Sequence, residues 1–416
     1  MMSAWNTSQE MHTLANLEKI LQLEQELIAR DIDTYLILSR EDSDIVLPLL
    51  LPVHVVAQTA FFFRKSQPHI VLTGSTDANT YKEFGIFEIV EVTTDFETDF
   101  LTVFNRLTPK QLALNISEDD YLVDGLTMGQ YLMLQDMVGA QRLAALECSS
   151  EPIIQRLRSI KSAFEVEQIR IAVQKTCRIY EEVAHSIQVG MSETDIGELF
   201  VQGMHRHAVV NAFGAPYSYP LICINRCGLA HREPNADNVL QPGDLLICDF
   251  SVRHNGYCSD IARSFYVLRE GETKAPAEVQ KAFDTTVAAV SAVIASIAVG
   301  MPGYEADRLG RDVIEQAGYP TIRHATGHQL GMRVHDGGTS LSPRNPERPA
   351  SLGLVQRNEV YAIEPTVIQD DGFPSFIVEE DIVIREGGVE ILSDRQLELY
   401  LIPCVPSTSA ETEGCR

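Results

Sequence analysis

Residues 243–260 read GDLLICDFSVRHNGYCSD. The run Leu245–Cys248 is apolar and ends on Asp249, Asp260 follows eleven residues later, and His254-Asn255-Gly256 lies between them. Asn-Gly supplies the positive-φ positions that a tight hairpin turn requires, so the stretch predicts a strand that folds back and brings Asp260 opposite Asp249. The pattern recurs downstream. Asn358-Glu-Val-Tyr-Ala-Ile-Glu364 repeats the acid, apolar run and acid, with Glu364 placed 115 residues after Asp249. Gln369-Asp-Asp-Gly372 would be its turn and Glu379 the returning acid. Val189-Gly190-Met191 and Val299-Gly300-Met301, 110 residues apart, each separate two helical patterns. The second part of the chain is therefore read as two copies of a helix–helix–strand hairpin about a pseudo-twofold axis, which sets Asp249 near Glu364.

Between the returning strands of the two copies lies His324–Gly338, HATGHQLGMRVHDGG, with His324, His328 and His335. Alone it reads as a Gly-rich loop with solvated histidines. Any one of the four acids alone reads as surface, in a chain with 58 Asp and Glu against 33 Lys and Arg. Their matched places in a repeat, with a histidine cluster nearby, favour a site. Four carboxylates drawn together repel and raise one another's pKa. Two divalent cations relieve that, and an oxygen-rich set with one imidazole suits Mn, Fe, Co or Zn. Two such ions acidify a shared water and clamp an oxyanion.

A net charge of -25 leaves no excess of cations for phosphates, so neither nucleic acid nor an anionic membrane is expected as a partner. The start, MMSAWNTSQEMHT, has neither a basic n-region nor an apolar h-region, and no secretory signal is expected. The apolar run 45–57 is broken by Pro48, Pro52 and His54, and Val287–Val299 is shorter than the ~20 residues of a span. Eight scattered cysteines contain no CxxC, and Cys223 and Cys227 lack a second pair to complete a zinc site. They read as reduced thiols of a cytoplasmic protein.

Along residues 1–150, strands at Thr34–Leu38, Ala60–Phe63, His69–Thr73, Ile86–Val92 and Gln111–Ile116 alternate with helices at Leu14–Ile28, Asp77–Phe84, Thr98–Leu107 and Thr127–Val138. That is an α/β domain with a mixed sheet and no catalytic constellation. Residues 151–403 form the second domain: Ser162-Ala-Phe-Glu165 opens a long helix through Val183, and Ser192-Glu-Thr-Asp195 opens another. Residues 404–416 read as a disordered polar tail.

At these residues the chain resembles the family of methionine aminopeptidases, prolidases, proline-specific aminopeptidases and creatinases. The resemblance covers Ile153–Leu401, and residues 1–150 are similar to the creatinase-type N-terminal domain. It implies an α/β creatinase-like domain followed by an α+β "pita-bread" domain. It also implies Asp249, Asp260, His328, Glu364 and Glu379 as ligands of two divalent ions, manganese foremost. His335, in Val334-His-Asp336, and His231, in Ala230-His231, resemble the substrate-contacting histidines, Glu364 also moves the proton of the attacking hydroxide, and His324 stands behind the ligands. Glu380 falls where the family has an acid that does not bind metal. Three positions depart from the pattern: Ser251 and Thr366 stand in place of glycine, and Ile377 in place of an arginine two residues before the last ligand. The expected function is a dinuclear Xaa-Pro peptidase, homodimeric, of prolidase or proline aminopeptidase type. Two alternatives are kept: a same-fold enzyme acting on a small non-peptide C–N or C–S compound, and a binding protein that keeps metal only for stability.

Overall fold

The structure, a computed structural model, describes residues 17–66, 68–225, 232–368 and 375–404. His231, the expected turn at 369–372, all but the first residue of the expected tail, and the N-terminal stretch lie outside them. The chain divides into two compact units, Met1–Phe164 and Glu165–Arg416.

In the first unit, strands β1 (Thr34–Ser39), β2 (Thr59–Arg64), β3 (His69–Thr73), β4 (Phe87–Glu91), β5 (Leu112–Leu114) and β6 (Glu147–Ser149) form one sheet in the order β4-β3-β2-β1-β5-β6. The β1–β2 and β2–β3 pairs are antiparallel and the rest parallel, the mixed sheet that the strand–helix alternation predicts. Strands such as TAFFFR are buried almost throughout, which is why they read as apolar runs rather than alternations. The helices Phe96–Leu107 and Met128–Val138 add Phe100, Val103, Phe104, Leu134 and Met137 to this core. Asp95 and Thr127 cap their first turns through side-chain oxygens.

The second unit is built twice over. Helices α1 (Ala163–Ala184) and α2 (Glu193–Arg206) precede a sheet of order β17-β12-β9-β8, made of β8 (Leu221–Ile224), β9 (Leu245–Phe250), β12 (Ile261–Val267) and β17 (Tyr400–Ile402). Helices α3 (Ala277–Ser296) and α4 (Gly303–Gln316) precede a sheet of order β13-β14-β15-β16, made of β13 (Gly327–Gln329), β14 (Val360–Ile363), β15 (Glu380–Arg385) and β16 (Gly388–Ile391). A small third sheet joins β7 (Val210–Asn211), β10 (Val252–His254) and β11 (Tyr257–Cys258).

The repeat extends to single hydrogen bonds. The Gly190 N–H donates to the Leu240 carbonyl at 2.9 Å, and the Gly300 N–H to the Val355 carbonyl at 2.8 Å. Both glycines turn the chain at left-handed φ, +93° and +87°, where a side chain would be strained. The acid at each strand's start closes the preceding turn: Asp244 accepts the Gln241 N–H and Glu359 the Gln356 N–H, each at 2.7 Å. Ser192 and Asp195 complete the capping box on α2. Among the described residues no helix is long and apolar enough to cross a membrane.

One expectation is corrected. Asp249 and Asp260 do not face each other across a simple hairpin. The strand breaks at Ser251, and only β10 and β11 flank the Asn255-Gly256 turn, whose residues have φ of +47° and +88°. Asp249 pairs with Ala262 in the β9–β12 ladder. Segment 251–259 leaves that ladder because it closes on itself: Val252 N–H donates to Ser259 Oγ and Ser259 N–H to the Val252 carbonyl, both at 3.0 Å. Asp260 therefore enters β12 beside Ser251.

Candidate metal centre

The ends of β9, β12, β14 and β15 carry the acids. Asp249 is in β9, Asp260 immediately precedes β12, Glu364 immediately follows β14 and Glu379 immediately precedes β15. Strand ends suit this use, since the ladder fixes the backbone while the last side chain is free to point out of the sheet. Ile363 pairs with Glu380, so Glu364 and Glu379 continue that register side by side. The two sheets meet here: the Glu379 N–H donates to the Ala262 carbonyl at 3.2 Å, and Arg263 Nη1 donates to the Glu379 carbonyl at 2.7 Å.

His328, on β13, completes the cluster. Its Nε2 lies 3.3 Å from Asp260 Oδ2 and 3.7 Å from Glu364 Oε1. Its Nδ1–H donates to the Gln329 carbonyl at 3.3 Å, a bond that leaves Nε2 turned towards the carboxylates. Ligand atoms of Asp260, His328 and Glu379 all lie within 4.8 Å of one another. The His335 ring sits edge-on to His328, centroids 4.2 Å apart, and its side of the loop is exposed. His324 stands one layer back, with Nε2 at 2.9 Å from Thr366 Oγ1.

The electrostatics are those of a crowded anionic pocket. Burial, then the charges of Asp260 and Glu364, hold the Asp249 carboxyl well above the usual range. The same causes raise Glu379. Burial by itself would lower the His328 pKa, but the Asp260 hydrogen bond and the charges of Glu364 and Asp260 outweigh it, and the imidazole is raised to about 9. Asp249 Oδ1 is buried with no hydrogen-bond partner among the described residues. A buried carboxylate oxygen in that position is costly unless a cation completes it. Four carboxylates and one imidazole whose Nε2 faces them fit hard or borderline divalent ions.

Sequence reasoning missed several neighbours. Asp381, fully buried, accepts the Asp260 N–H on Oδ2 at 3.0 Å, and burial raises its carboxyl well above the ordinary range. The signal was present in Glu379-Glu380-Asp381, because strand periodicity puts residues 379 and 381 on one face and Glu380 on the other. Glu380 instead pairs with the buried Arg263 at 3.1 Å and takes the Gln396 N–H at 2.9 Å. Both glycine-to-hydroxyl departures touch a candidate ligand residue. Ser251 Oγ donates to Asp260 Oδ1 at 2.6 Å, and Thr366 Oγ1 donates to the Glu364 carbonyl at 3.0 Å.

Known proteins share this chain's family and fold. The model of metallopeptidase family M24 matches residues 167–386, just over half the chain. An uncharacterized peptidase of Bacillus subtilis is 27% identical over 283 residues, 67% of this chain and 73% of the relative. Among solved structures, the X-Pro aminopeptidase of Thermotoga maritima superposes with a TM-score of 0.71 at 22% identity, over 89% of this chain and 98% of its own. The Xaa-Pro dipeptidase of Bacillus anthracis gives 0.73 at 21% identity, over 93% and 100%. The two structural likenesses concern the fold, which each shares along nearly its whole length.

Proposed function

Because the chain belongs to metallopeptidase family M24, we propose that it hydrolyses the bond before proline in short peptides, using two divalent ions, manganese foremost. The observation that carries this reading is the convergence of Asp249, Asp260, Glu364, Glu379 and His328 at the ends of two duplicated strand pairs, with Asp249 Oδ1 buried and without a partner among the described residues. Those five residues would hold the ions. When bound, the ions would supply Lewis acidity and acidify a water.

The chain's own groups do the rest. Glu364, at the pocket's accessible edge with a side chain 23% exposed, takes the proton of the attacking water and passes it to the leaving nitrogen. His335, exposed beside His328, donates to the scissile carbonyl oxygen as it becomes anionic. His231 is assigned the second substrate contact on its sequence match. His324, bonded through Nδ1 to the Ala325 carbonyl at 2.7 Å, keeps its ring turned to Thr366. We read the protein as a homodimer of the cytoplasm, a reading supported by the family resemblance and by the six described cysteines, all free thiols.

A second reading is favoured by Ile377. Its backbone is tied to Ser264 Oγ, and its side chain brings no cation where prolidase-like members carry one. The same centre would then act on a small non-peptide C–N or C–S compound. The test is metal content of protein purified without chelator, then cleavage of proline dipeptides and tripeptides with Mn, Co, Zn and Fe each restored. Two ions and cleavage before proline support the peptidase, and the dipeptide-to-tripeptide ratio separates dipeptidase from aminopeptidase. Two ions without cleavage favour the second reading. No bound metal sinks both.

A further inference from the structure

Helix α4 carries a buried ion pair that touches no candidate ligand. Asp307 is 1% exposed and Arg311 9%. They bond in a fork, Arg311 Nε to Asp307 Oδ2 and Nη2 to Oδ1, each at 2.8 Å. Neither group ends there. Arg311 Nη2 also donates to the His324 carbonyl at 3.0 Å, and Nη1 donates to Thr321 Oγ1 at 3.1 Å and to the Ile322 carbonyl. Asp307 accepts the Thr326 hydroxyl on Oδ1 at 2.9 Å and the Thr326 N–H at 3.3 Å, and its backbone carbonyl lies 3.1 Å from the same hydroxyl. Four residues of the loop entering β13 are thereby hung on one helical turn.

The far side of that loop is the metal centre. The Thr326 carbonyl accepts the Glu364 N–H at 2.9 Å. The Glu364 carbonyl is taken by Thr366 Oγ1, which also meets His324 Nε2 at 2.9 Å. Both peptide groups of Glu364 are thus gripped, one through Thr326 and one through Thr366, and both grips lead back to the Asp307–Arg311 pair. His328 follows Thr326 by two residues, on β13. Gly310 allows the close approach: a Cβ there would meet Thr326 Cγ2 at 3.0 Å and Pro365 Cβ at 3.2 Å. A buried pair of this kind adds little net stability by itself. Its bonds run to the loop that leads into His328 and that holds the Glu364 N–H.

We propose that Asp307, Arg311 and Thr326 are positioning residues for the metal centre, fixing the backbone of Glu364 and His328 so that the carboxylate and imidazole share an ion. This rests on the metal-site reading above. Groups that orient ligands from behind typically change metal affinity 10–100-fold when removed. Thr326→Val keeps the volume and deletes the hydroxyl, whereas Thr326→Ser keeps it.

The experiment is titration of the full-length, metal-stripped protein with Co(II) against a chromophoric chelator, with the visible absorption of the loaded protein recorded. Thr326→Val is expected to bind Co(II) about tenfold more weakly and to shift its absorption bands, while Thr326→Ser restores both. A role in folding alone would lower Tm and leave affinity and spectrum as in the wild type, and that result overturns the inference. Should Thr326→Val not fold, Thr366→Val removes the other grip on Glu364 and must give the same shift. Wild-type protein that takes up no cobalt overturns the metal-site reading, and this inference with it. Wild-type uptake with unchanged variants overturns this inference only.

Discussion

The two halves of the second unit present the same strand ends but restrain their acids differently. In the first half a side chain is held directly, by Ser251 Oγ on the Asp260 carboxylate, with the Asp260 N–H on Asp381. In the second half the backbone of Glu364 is held, through Thr326, by an ion pair on the helix behind. The repeat spacing of 110 aligns Asp307 with Gly197 and Arg311 with Val201. Helix α2 therefore lacks the pair: Gly197 lies against Tyr219 instead, where a Cβ would meet the ring at 2.9 Å. The lesson is that a metal centre of the proposed kind would constrain only the strand ends. Helices behind them are free to diverge, provided each half restrains its acids in some way.

The comparison breaks most severely at Asp260, which bonds to both Ser251 and Asp381 and is close to His328. Asp260→Asn is expected to abolish metal occupancy and turnover together, read by metal analysis and peptide assay. Full activity in that variant would remove the mechanism. Next is removal of metal with pH varied. In metal-free protein Asp249 and Glu379 are raised carboxyls and His328 is raised to about 9. A raised folded-state pKa contributes stability below the unfolded value and loses it as pH climbs through the folded value. Tm of the metal-free protein should therefore fall by about 5–10 °C between pH 5 and 9, and restored metal should cancel the fall. A flat Tm would mean the acids are not crowded.

The direct grip is probed by Ser251→Ala. Loss of one hydroxyl on the Asp260 carboxylate should weaken metal affinity about tenfold, measured by chelator competition. An equal effect from Ser251→Gly and none on Tm would place the contribution in ligand orientation. The smallest effect is expected at Gly310→Ala. A methyl group pressed against Thr326 and Pro365 should cost about 1 kcal/mol net of the better helix propensity, a Tm fall of roughly 2–4 °C, with metal content intact.

Much of this was legible because duplication wrote it twice. The Gly190 and Gly300 turns, the acids at 244 and 359, and the candidate ligand acids at 249 and 364 stand in matching places, and local chemistry suffices to read them. The break at Ser251 was not legible, since a strand that leaves its ladder after Phe250 has the same alternation as one that continues. Nor was the Asp307–Arg311 pair. Helix α4 also carries Arg308–Asp312 at the same four-residue spacing, with side chains 69% and 39% exposed. Spacing makes the two pairs alike, and only the loop packed on one face separates them.

Strand β17 pairs parallel with β12, Tyr400 beside Phe265 and Ile402 beside Val267, and the Leu268 N–H donates to the Ile402 carbonyl at 2.9 Å. The partners are 135 residues apart. On the ribosome, at about 5–20 residues per second, β12 emerges on the order of ten seconds before the strand that covers its edge. For that interval the half bearing Asp249 and Asp260 exposes an unpaired strand edge, the period in which a nascent chain is open to pairing with its neighbours.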